Sequence, residues 1–458
     1  MIRVAFKTLG CRANQYDTEV MKESLRREGY LIVEPEEAAD VYIVNTCTVT
    51  ARAEAKARQF IHGFARRGGL VLATGCWATL APEEVEASGG VALVFGNGAK
   101  LQVARWVEAA LAGERGVINI ESPPSRIDEE RISSDSCHSR AFVKIQDGCD
   151  RGCTFCRTRL ARGRSRSKPP ELVVAEVEGL VRNGFREVVL TGINLADYGN
   201  GGEALAELLW RLAEIPGLER IRLSSINQEG ITPALVRFFR ECEKGCPYFH
   251  IPLQSGDDLL LERMNRGYTA AEYREKIELI RGEVPRATFG ADVLVGFPGE
   301  TEEQFERTCR LVEEVSFLRL HIFRYSPRPG TLAARLPDQV PEQVKRERAR
   351  RLQELGRRVS RRVKESFIWQ RLRVLVEEPA PDGRYRGWSE NYIEVHLGLS
   401  ELGGGEPQVR VQPGQIIEVE VQELCEDGDY LLGVPIAITS RGIGGELAGV
   451  SGSGARSQ

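Results

Sequence analysis

The stretch Ala141-Phe-Val-Lys-Ile-Gln-Asp-Gly-Cys149-Asp-Arg-Gly-Cys153-Thr-Phe-Cys156 decides how this chain is read. Its first part, Ala141–Gln146, is an apolar-rich run of the kind that forms a buried strand. The run ends on a loop in which Gly148 and Gly152 permit tight turns and three cysteines fall within eight residues. The C-x3-C-x2-C spacing lets one loop wrap three thiolates around a single cluster, and thiolates are the usual ligands of iron–sulfur clusters. Three ligands for four irons leave one iron open to chelate a small molecule through amino and carboxylate groups. A structural zinc site would instead bring C-x2-C pairs and a fourth ligand. Cys149, Cys153 and Cys156 are therefore read as metal ligands at the reactive centre.

The chain has 458 residues, enough for roughly three domains. Its net charge is −4, so any nucleic acid must be met by local basic patches. No apolar run approaches the ~20 residues that span a bilayer. Met1–Gly10 lacks the apolar segment of a signal peptide. No membrane association and a cytoplasmic location are expected. In that reducing compartment the 11 cysteines point to metal or catalysis rather than disulfides. Five histidines argue against a His-rich zinc site or a His-based hydrolase.

Working outward, residues 1–112 alternate strands (Val4–Thr8, Asp40–Asn45, Leu70–Thr74, Val91–Phe95) with helices (Asp17–Glu28, Ala51–Arg66, Leu101–Ala112). That rhythm implies an α/β unit with an open parallel sheet. Residues 113–139 are polar, contain Pro123 and Pro124, and read as a linker. Residues 140–368 repeat the rhythm with strands at Ala141–Gln146, Glu187–Thr191, Arg220–Ser224, Tyr248–Leu253, Thr288–Val295 and Leu318–Tyr325. Six units fit a partial (β/α)6 barrel better than the full eight-fold one. A long helical segment, 340–368, closes this part. Residues 369–439 hold short strands between Gly and Pro turns and read as a small antiparallel β-barrel of the type that binds oligonucleotides. The Gly/Ser-rich tail, 440–458, is expected to be disordered.

A second set of cysteines is dispersed. Cys11, Cys47 and Cys76 each come just after a strand of the first unit, in Leu9-Gly10-Cys11, Asn45-Thr46-Cys47 and Thr74-Gly75-Cys76. Parallel strands end on one edge of a sheet, so the three thiols can converge on a second metal site. A buried small residue is the plain alternative for any one of them. Three at equivalent places favour the site. In the central unit, ligands of parallel α/β folds bind at the carboxyl ends of strands. This makes Gly192, Asn194, Gln254 and Gly296 cofactor-binding candidates.

Arg157 to Lys168 carries Arg157, Arg159, Arg162, Arg164, Arg166 and Lys168 without an acid. Such a run could lie on RNA phosphates, or be a solvated loop, and Arg162, Arg164 and Arg166 are its RNA-binding candidates. Between Lys345 and Arg373, 12 Lys/Arg face only Glu347, Glu354 and Glu365, which fits either an RNA-facing helix or salt-bridged packing. In the β unit, Arg384, Arg386, Trp388 and Tyr392 combine cations with stacking surfaces, as single-stranded RNA recognition prefers. Trp388 could equally be core. Cys242 and Cys246 are read as structural, and Cys137, Cys309 and Cys425 are assigned nothing.

The triplet Cys149, Cys153, Cys156, with Phe155 before its last cysteine, resembles the radical-SAM superfamily. The resemblance implies that the open iron binds S-adenosylmethionine, whose cleavage yields a 5′-deoxyadenosyl radical, with Phe155 near the adenine. With Cys11, Cys47 and Cys76 and the C-terminal β unit, the chain resembles the radical-SAM methylthiotransferase family nearly end to end. That implies two 4Fe-4S clusters, two molecules of S-adenosylmethionine, a TRAM-like RNA-binding barrel, tRNA as partner, and an electron donor such as flavodoxin or ferredoxin. Thr8–Glu19, Gly387–Tyr392 and His321–Thr331 look most like the branch that inserts a methylthio group at C2 of threonylcarbamoyladenosine in tRNA. The isopentenyladenosine and ribosomal-aspartate branches usually carry Gln-Met-Asn or Pro-Lys-Asn where this chain has Arg12-Ala13-Asn14. Those branches, and a non-catalytic metal-containing RNA-binding protein, are the alternatives. After Cys156 relatives often carry an apolar Ile-Ile/Val-Pro stretch. Arg157-Thr158-Arg159-Leu160 here alters the expected shape and charge of the substrate mouth.

Overall fold

Strand-forming runs in the first part build β1 (Arg3–Thr8), β2 (Leu31–Val33), β3 (Val41–Thr46), β4 (Leu70–Gly75), β5 (Leu93–Val94) and β6 (Gly116–Val117). The computed structural model describes all residues except 119, 121–126, 136–138, 380–383, 399–410 and 439–458. The tail read as disordered, Pro123, Pro124 and Cys137 lie outside the described residues. The six strands form one sheet in the order β2-β1-β3-β4-β5-β6. Every neighbouring pair is parallel. β3 is buried at all six positions because helices cover both faces of the sheet. Met21, Leu25, Val103 and Trp106 pack on one face, and Ala57, Ile61 and Phe64 on the other. β2 and β6 were not expected, being short edge strands with little periodicity to read.

β6 lies inside the stretch read as a linker. Described residues of that stretch pack against the rest of the chain. Ile127 and Ile132 are buried, and Glu130 pairs with Lys144 at 2.7 Å.

The central part contains β7 (Ala141–Lys144), β8 (Gln146–Asp147), β9 (Arg166–Ser167), β10 (Glu187–Thr191), β11 (Arg220–Leu223), β12 (Tyr248–His250), β13 (Thr288–Val295) and β14 (Arg319–Arg324). β7, β10 and β11 form one parallel sheet, and β12, β13 and β14 another. Parallel bridges at Ile221–Gly245 and Ser225–His250 join them into a six-stranded open barrel in chain order. β8 and β9 pair antiparallel and close the base of the cysteine loop. Alternation sorts the barrel residues. Val188, Leu190, Ile221, Leu223, Phe249, Ala291 and Val293 join the core under the helices. The opposite set, including Glu187, Arg222, Tyr248, His250, Asp292, Arg319 and His321, faces the lumen. Helix Arg12–Arg27 of the first unit packs beside β7, the first strand of this open barrel.

Helix Glu342–Glu365 runs along β14, with Gly356 against Leu320. Its basic residues are mostly answered by acids. Arg348 meets Glu300 at 2.8 Å, Arg351 meets Glu302 and Glu306, and Arg350 meets Glu347 at 2.7 Å. Salt-bridged packing, not an RNA-facing stripe, accounts for most of this helix.

The chain then forms β15 (Arg371–Pro379), β16 (Tyr385–Ser389), β17 (Glu394–Leu397), β18 (Ile416–Leu424) and β19 (Leu431–Ile438), a closed barrel in the order β15-β16-β17-β19-β18. All pairs are antiparallel except β17 with β19. Five strands are an odd number, so strict up-and-down alternation cannot close the ring, and one parallel seam is forced.

Candidate functional site

Cys11 caps the N-terminus of helix Arg12–Arg27, Cys47 follows β3, and Cys76 opens helix Cys76–Leu80 after β4. The register sets Thr8 against Asn45 and Thr46 against Gly75, so the three cysteines leave the sheet at one edge. Two glycines make room for them. A Cβ on Gly10 (φ +100°) would sit 3.0 Å from Cys47 Sγ. One on Gly75 (φ +97°) would strike the backbone of Thr46. Burial, with Cys76 and Cys11 adding to it, pushes the Cys47 thiol up to about 12. A thiol so placed keeps its proton until a metal displaces it.

The second trio sits on the loop after β8. Gly148 (φ +74°) is irreplaceable by geometry, because any Cβ there would overlap the Arg164 carbonyl. Backbone bonds tie the loop to the barrel: Cys149 N to Gly163 O at 3.2 Å, Thr154 N to Met264 O at 3.1 Å, and Ala333 N to Thr154 O at 2.9 Å. Arg266 donates to Cys153 Sγ at 3.3 Å, and Thr158 N donates to Cys156 Sγ at 3.4 Å. Burial, with Asp197, Cys156 and Cys153 nearby, pushes the Cys149 thiol up to about 12. Phe155 packs against the apolar group of Leu260, Met264, Leu294, Phe297 and Tyr325.

Neither cysteine trio is drawn together as ligands of one ion are. Among the described residues, the trio whose ligand atoms lie within 4.8 Å of one another is His250, Asp292 and His321. Zn–S bonds of about 2.3 Å would place tetrahedral thiolates about 3.8 Å apart. Thiolates that bind separate irons of a larger cluster need not approach one another so closely.

Gln146, at the end of the decisive strand, was missed as a site residue. Its Oε1 accepts from Ile193 N and Asn194 N, both at 2.9 Å, and its Nε2 donates to Gly148 O at 2.7 Å. A Cβ on Gly192 would meet that Oε1 at 2.7 Å, so Gly192 and Asn194 are seated against the base of the cysteine loop. Asn194 Oδ1 also accepts from Ala196 N and Asn227 N, both at 3.3 Å. Gln254 has φ +65° and is held by its backbone to Asp292 O at 2.8 Å. Gly296 (φ +73°) leaves room for Lys345, and its N–H donates to Glu300 at 2.7 Å, so helix packing accounts for this glycine.

The basic run beside the loop does something other than expected. Arg162 is 1% exposed and bridges Asp147 (2.8 Å), Asp17 (2.9 Å) and Asn14 (2.5 Å). Asp17 also takes Lys100 at 2.6 Å and Lys144 at 2.5 Å. Burial opposes the charge on Asp17, but Lys100, Lys144 and Arg162 overcome it and hold the carboxyl well below its usual range. Arg166 pairs with Asp147 at 3.2 Å, and Lys168 with Glu176 at 2.7 Å. Arg162 and Arg166 are therefore not RNA contacts. Exposing Arg162 would take one shared cation from two buried carboxylates, and exposing Arg166 would take one of three from Asp147. Arg164, whose side chain is 83% exposed beside Asp150, keeps that possibility. The departure at Arg157–Leu160 has a local reason. Arg157 donates to Thr48 at 2.9 Å and meets Glu54 at 3.1 Å, and Arg328 reaches the same carboxylate. It anchors the first unit instead of lining a mouth.

Tyr392 is corrected too, and Trp388 is half-buried beside it. Tyr392 is buried, accepts from Arg12 at 2.6 Å and lies 5.2 Å from the Trp388 ring, whose Nε1 donates to Glu377 at 3.1 Å. Both rings fill the seam between the β-barrel and the open barrel. Arg386 is exposed. Cys246 is buried, and burial pushes its thiol up to about 11, as suits a structural role.

Residues 143–312 match the family model described as the radical SAM superfamily, and residues 3–96 match one described as uncharacterized protein family UPF0004. A threonylcarbamoyladenosine tRNA methylthiotransferase MtaB of Thermotoga maritima is 38% identical over 93% of this chain and 96% of its own length. The MtaB of Aquifex aeolicus is 40% identical over 88% of this chain and 98% of its own. The chain belongs to the radical-SAM methylthiotransferase family. The cofactors of this methylthiotransferase are S-adenosylmethionine and two 4Fe-4S clusters. A tRNA-2-methylthio-N(6)-dimethylallyladenosine synthase of Alkalilimnicola ehrlichii is also similar, at 37% identity over 92% of this chain and 95% of its own. Among solved structures, the radical S-adenosylmethionine methyltransferase TsrM of Kitasatospora setae covers 73% of the methylthiotransferase chain and 75% of its own at TM-score 0.56 and 17% identity, a likeness of fold. Among the described residues, no helix is long and apolar enough to cross a membrane.

Proposed function

We propose that the chain inserts a methylthio group at C2 of N6-threonylcarbamoyladenosine in tRNA. One observation carries the reading. One cysteine trio leaves three parallel strands of the first sheet, the other sits on the single loop after β8, and a buried network of Asp17, Lys100, Lys144, Arg162 and Asp147 ties the two places together. In this reading residues 1–112 carry one trio, 140–368 the other, and 369–439 help to hold RNA.

Cys149, Cys153 and Cys156 hold the cluster that works with S-adenosylmethionine, and Cys11, Cys47 and Cys76 hold the auxiliary one. When bound, these groups would supply radical hydrogen abstraction and a sulfur donor for the adenine C2 position. The chain's own residues do the positioning. Gln146 fixes the turn at Gly192–Asn194 against the loop, Arg266 donates to the Cys153 sulfur, and Phe155 offers a face for an adenine. Hydrogen abstraction needs reacting atoms held about 3–3.5 Å apart, which neither unit achieves alone. Gln254 stands at the carboxyl-end rim of the strands beside the cofactor, while Gly296 serves helix packing there. Arg164 and Arg386 are the exposed cations for tRNA phosphates. Trp369, with φ +65° and 70% exposed, adds a stacking face that sequence reasoning missed. A flavodoxin or ferredoxin supplies electrons, and the setting is cytoplasmic.

Nucleoside mass analysis of tRNA from cells with and without the gene tests this. The 2-methylthio form of threonylcarbamoyladenosine should vanish on deletion. The similarity to the A. ehrlichii enzyme favours a second reading, the isopentenyl nucleoside, and loss of its methylthio form instead would establish that reading.

A further inference from the structure

The lumen of the open barrel holds more positive charge than its acids answer. Glu187 pairs with Arg220 at 3.1 Å and Arg222 at 3.0 Å, and Arg140 pairs with Glu377 at 3.2 Å. Arg12 and Arg319 remain. Among the described residues, neither has a carboxylate within ion-pair distance. Arg319 stacks on Trp388 at 4.4 Å and Tyr392 at 4.5 Å, and Arg12 lies 5.5 Å from the same Tyr392 ring. Aromatic faces stabilise a guanidinium without neutralising it. Burial opposes ionisation of Tyr392, yet Arg12, Arg140, Arg222 and Arg319 together bring its hydroxyl below the usual phenol range. A partly desolvated cluster of this kind favours an incoming anion.

Above Arg319 on the same face of β14 stands His321, its side chain 55% exposed although it faces the lumen. Its Nδ1 lies 3.2 Å from Asp292 Oδ1, the oxygen that His250 Nε2 approaches at 3.1 Å. Asp292 therefore fixes the His321 ring and leaves its Nε2 free. Asp292 is level with His321 and three residues below the end of β13 at Val295. At about 3.3 Å per residue along the strand, that is about 10 Å before the end of β13, and Arg319 lies about 7 Å further from the carboxyl end of β14 than His321. An RNA backbone phosphate held at the rim does not descend so far. A substituent extending from a base that points into the barrel does.

We propose that Arg12 and Arg319, with His321 above them, form an oxyanion well that receives the carboxylate of an amino-acid substituent on the target base. This rests on the proposed function and names how that substrate is told apart from one with an uncharged substituent. A site built to bond a charged group discriminates strongly against its absence, because the site's own charge is left unpaired.

The test uses the reconstituted full-length enzyme and two tRNAs, one with free threonylcarbamoyladenosine and one with its carboxylate converted to the methyl ester. The wild type should prefer the acid by about 10- to 100-fold in kcat/KM, the range for a hydrogen bond to a charged group. Arg319→Gln should level the two substrates by losing the acid, and Arg319→Lys should restore part of the preference. Iron content and cluster absorbance check that each variant is folded. If the wild type treats acid and ester alike, or Arg319→Gln keeps the full preference, the well is wrong while the proposed function stands. If the wild type modifies only isopentenyladenosine tRNA, both fall.

Discussion

The two cysteine trios reach comparable ends by opposite routes. Cys149, Cys153 and Cys156 lie on one loop whose shape is set locally, by Gly148 and by backbone bonds to Gly163 and Met264. Cys11, Cys47 and Cys76 come together only because β1, β3 and β4 are adjacent, parallel and in one register. A local site survives changes elsewhere. A dispersed site depends on the sheet beneath it and on whatever seats that sheet against its partner. Here that seat is the buried cluster around Asp17.

The sharpest way to break the comparison is to remove one thiolate from each trio. Cys153→Ala should abolish cleavage of S-adenosylmethionine, read as 5′-deoxyadenosine. Cys47→Ala should keep cleavage and lose methylthio product, and product at the wild-type rate would falsify the auxiliary site.

Arg162→Met comes next. Removing one partner of a buried ion network typically costs about 3–5 kcal/mol. A lowered melting temperature should accompany more 5′-deoxyadenosine formed per methylthio product. An unchanged ratio in folded protein would mean that the network does not hold the two sites in register.

Acid should act on the same network. Asp17 is held well below the usual carboxylate range in the fold, so its stabilisation is present above its unfolded value near 3.9 and is lost as pH falls toward the folded one. Acid unfolding in Asp17→Asn should be less steep below about pH 4 than in the wild type.

Gly75→Ala sharpens the contrast on the dispersed side. Strain at φ +97° and contact with Thr46 should cost about 1–3 kcal/mol and lower auxiliary iron, while the loop cluster stays loaded. Equal loss from both sites would contradict the view that only one of them depends on sheet register. The smallest effect belongs to Arg164→Ala. It should weaken tRNA binding uniformly and reduce the salt slope by about 1, with no change in cluster content.

Much of the architecture was legible. β10 and β13 lie where alternating and apolar runs place them, and the six-unit count gives the open barrel. Short edge strands such as β2 and β6 escaped because two or three residues carry no period. The role of Gln146 escaped because a lone amide after a strand has no distinguishing pattern.

The sequence by itself determined the cysteine spacing, the Gly–Cys turns and the alternation of strand and helix, all of which are local properties of a few consecutive residues. Only the tertiary structure decided which charges reach solvent and which are sealed inside. Arg162 and Arg164 are two residues apart in one basic run, yet one is buried against Asp17, 145 positions away, and the other stands in solvent. The energy of a charge is a sum over every neighbour and over the water it has lost, and neither is written in the residues beside it.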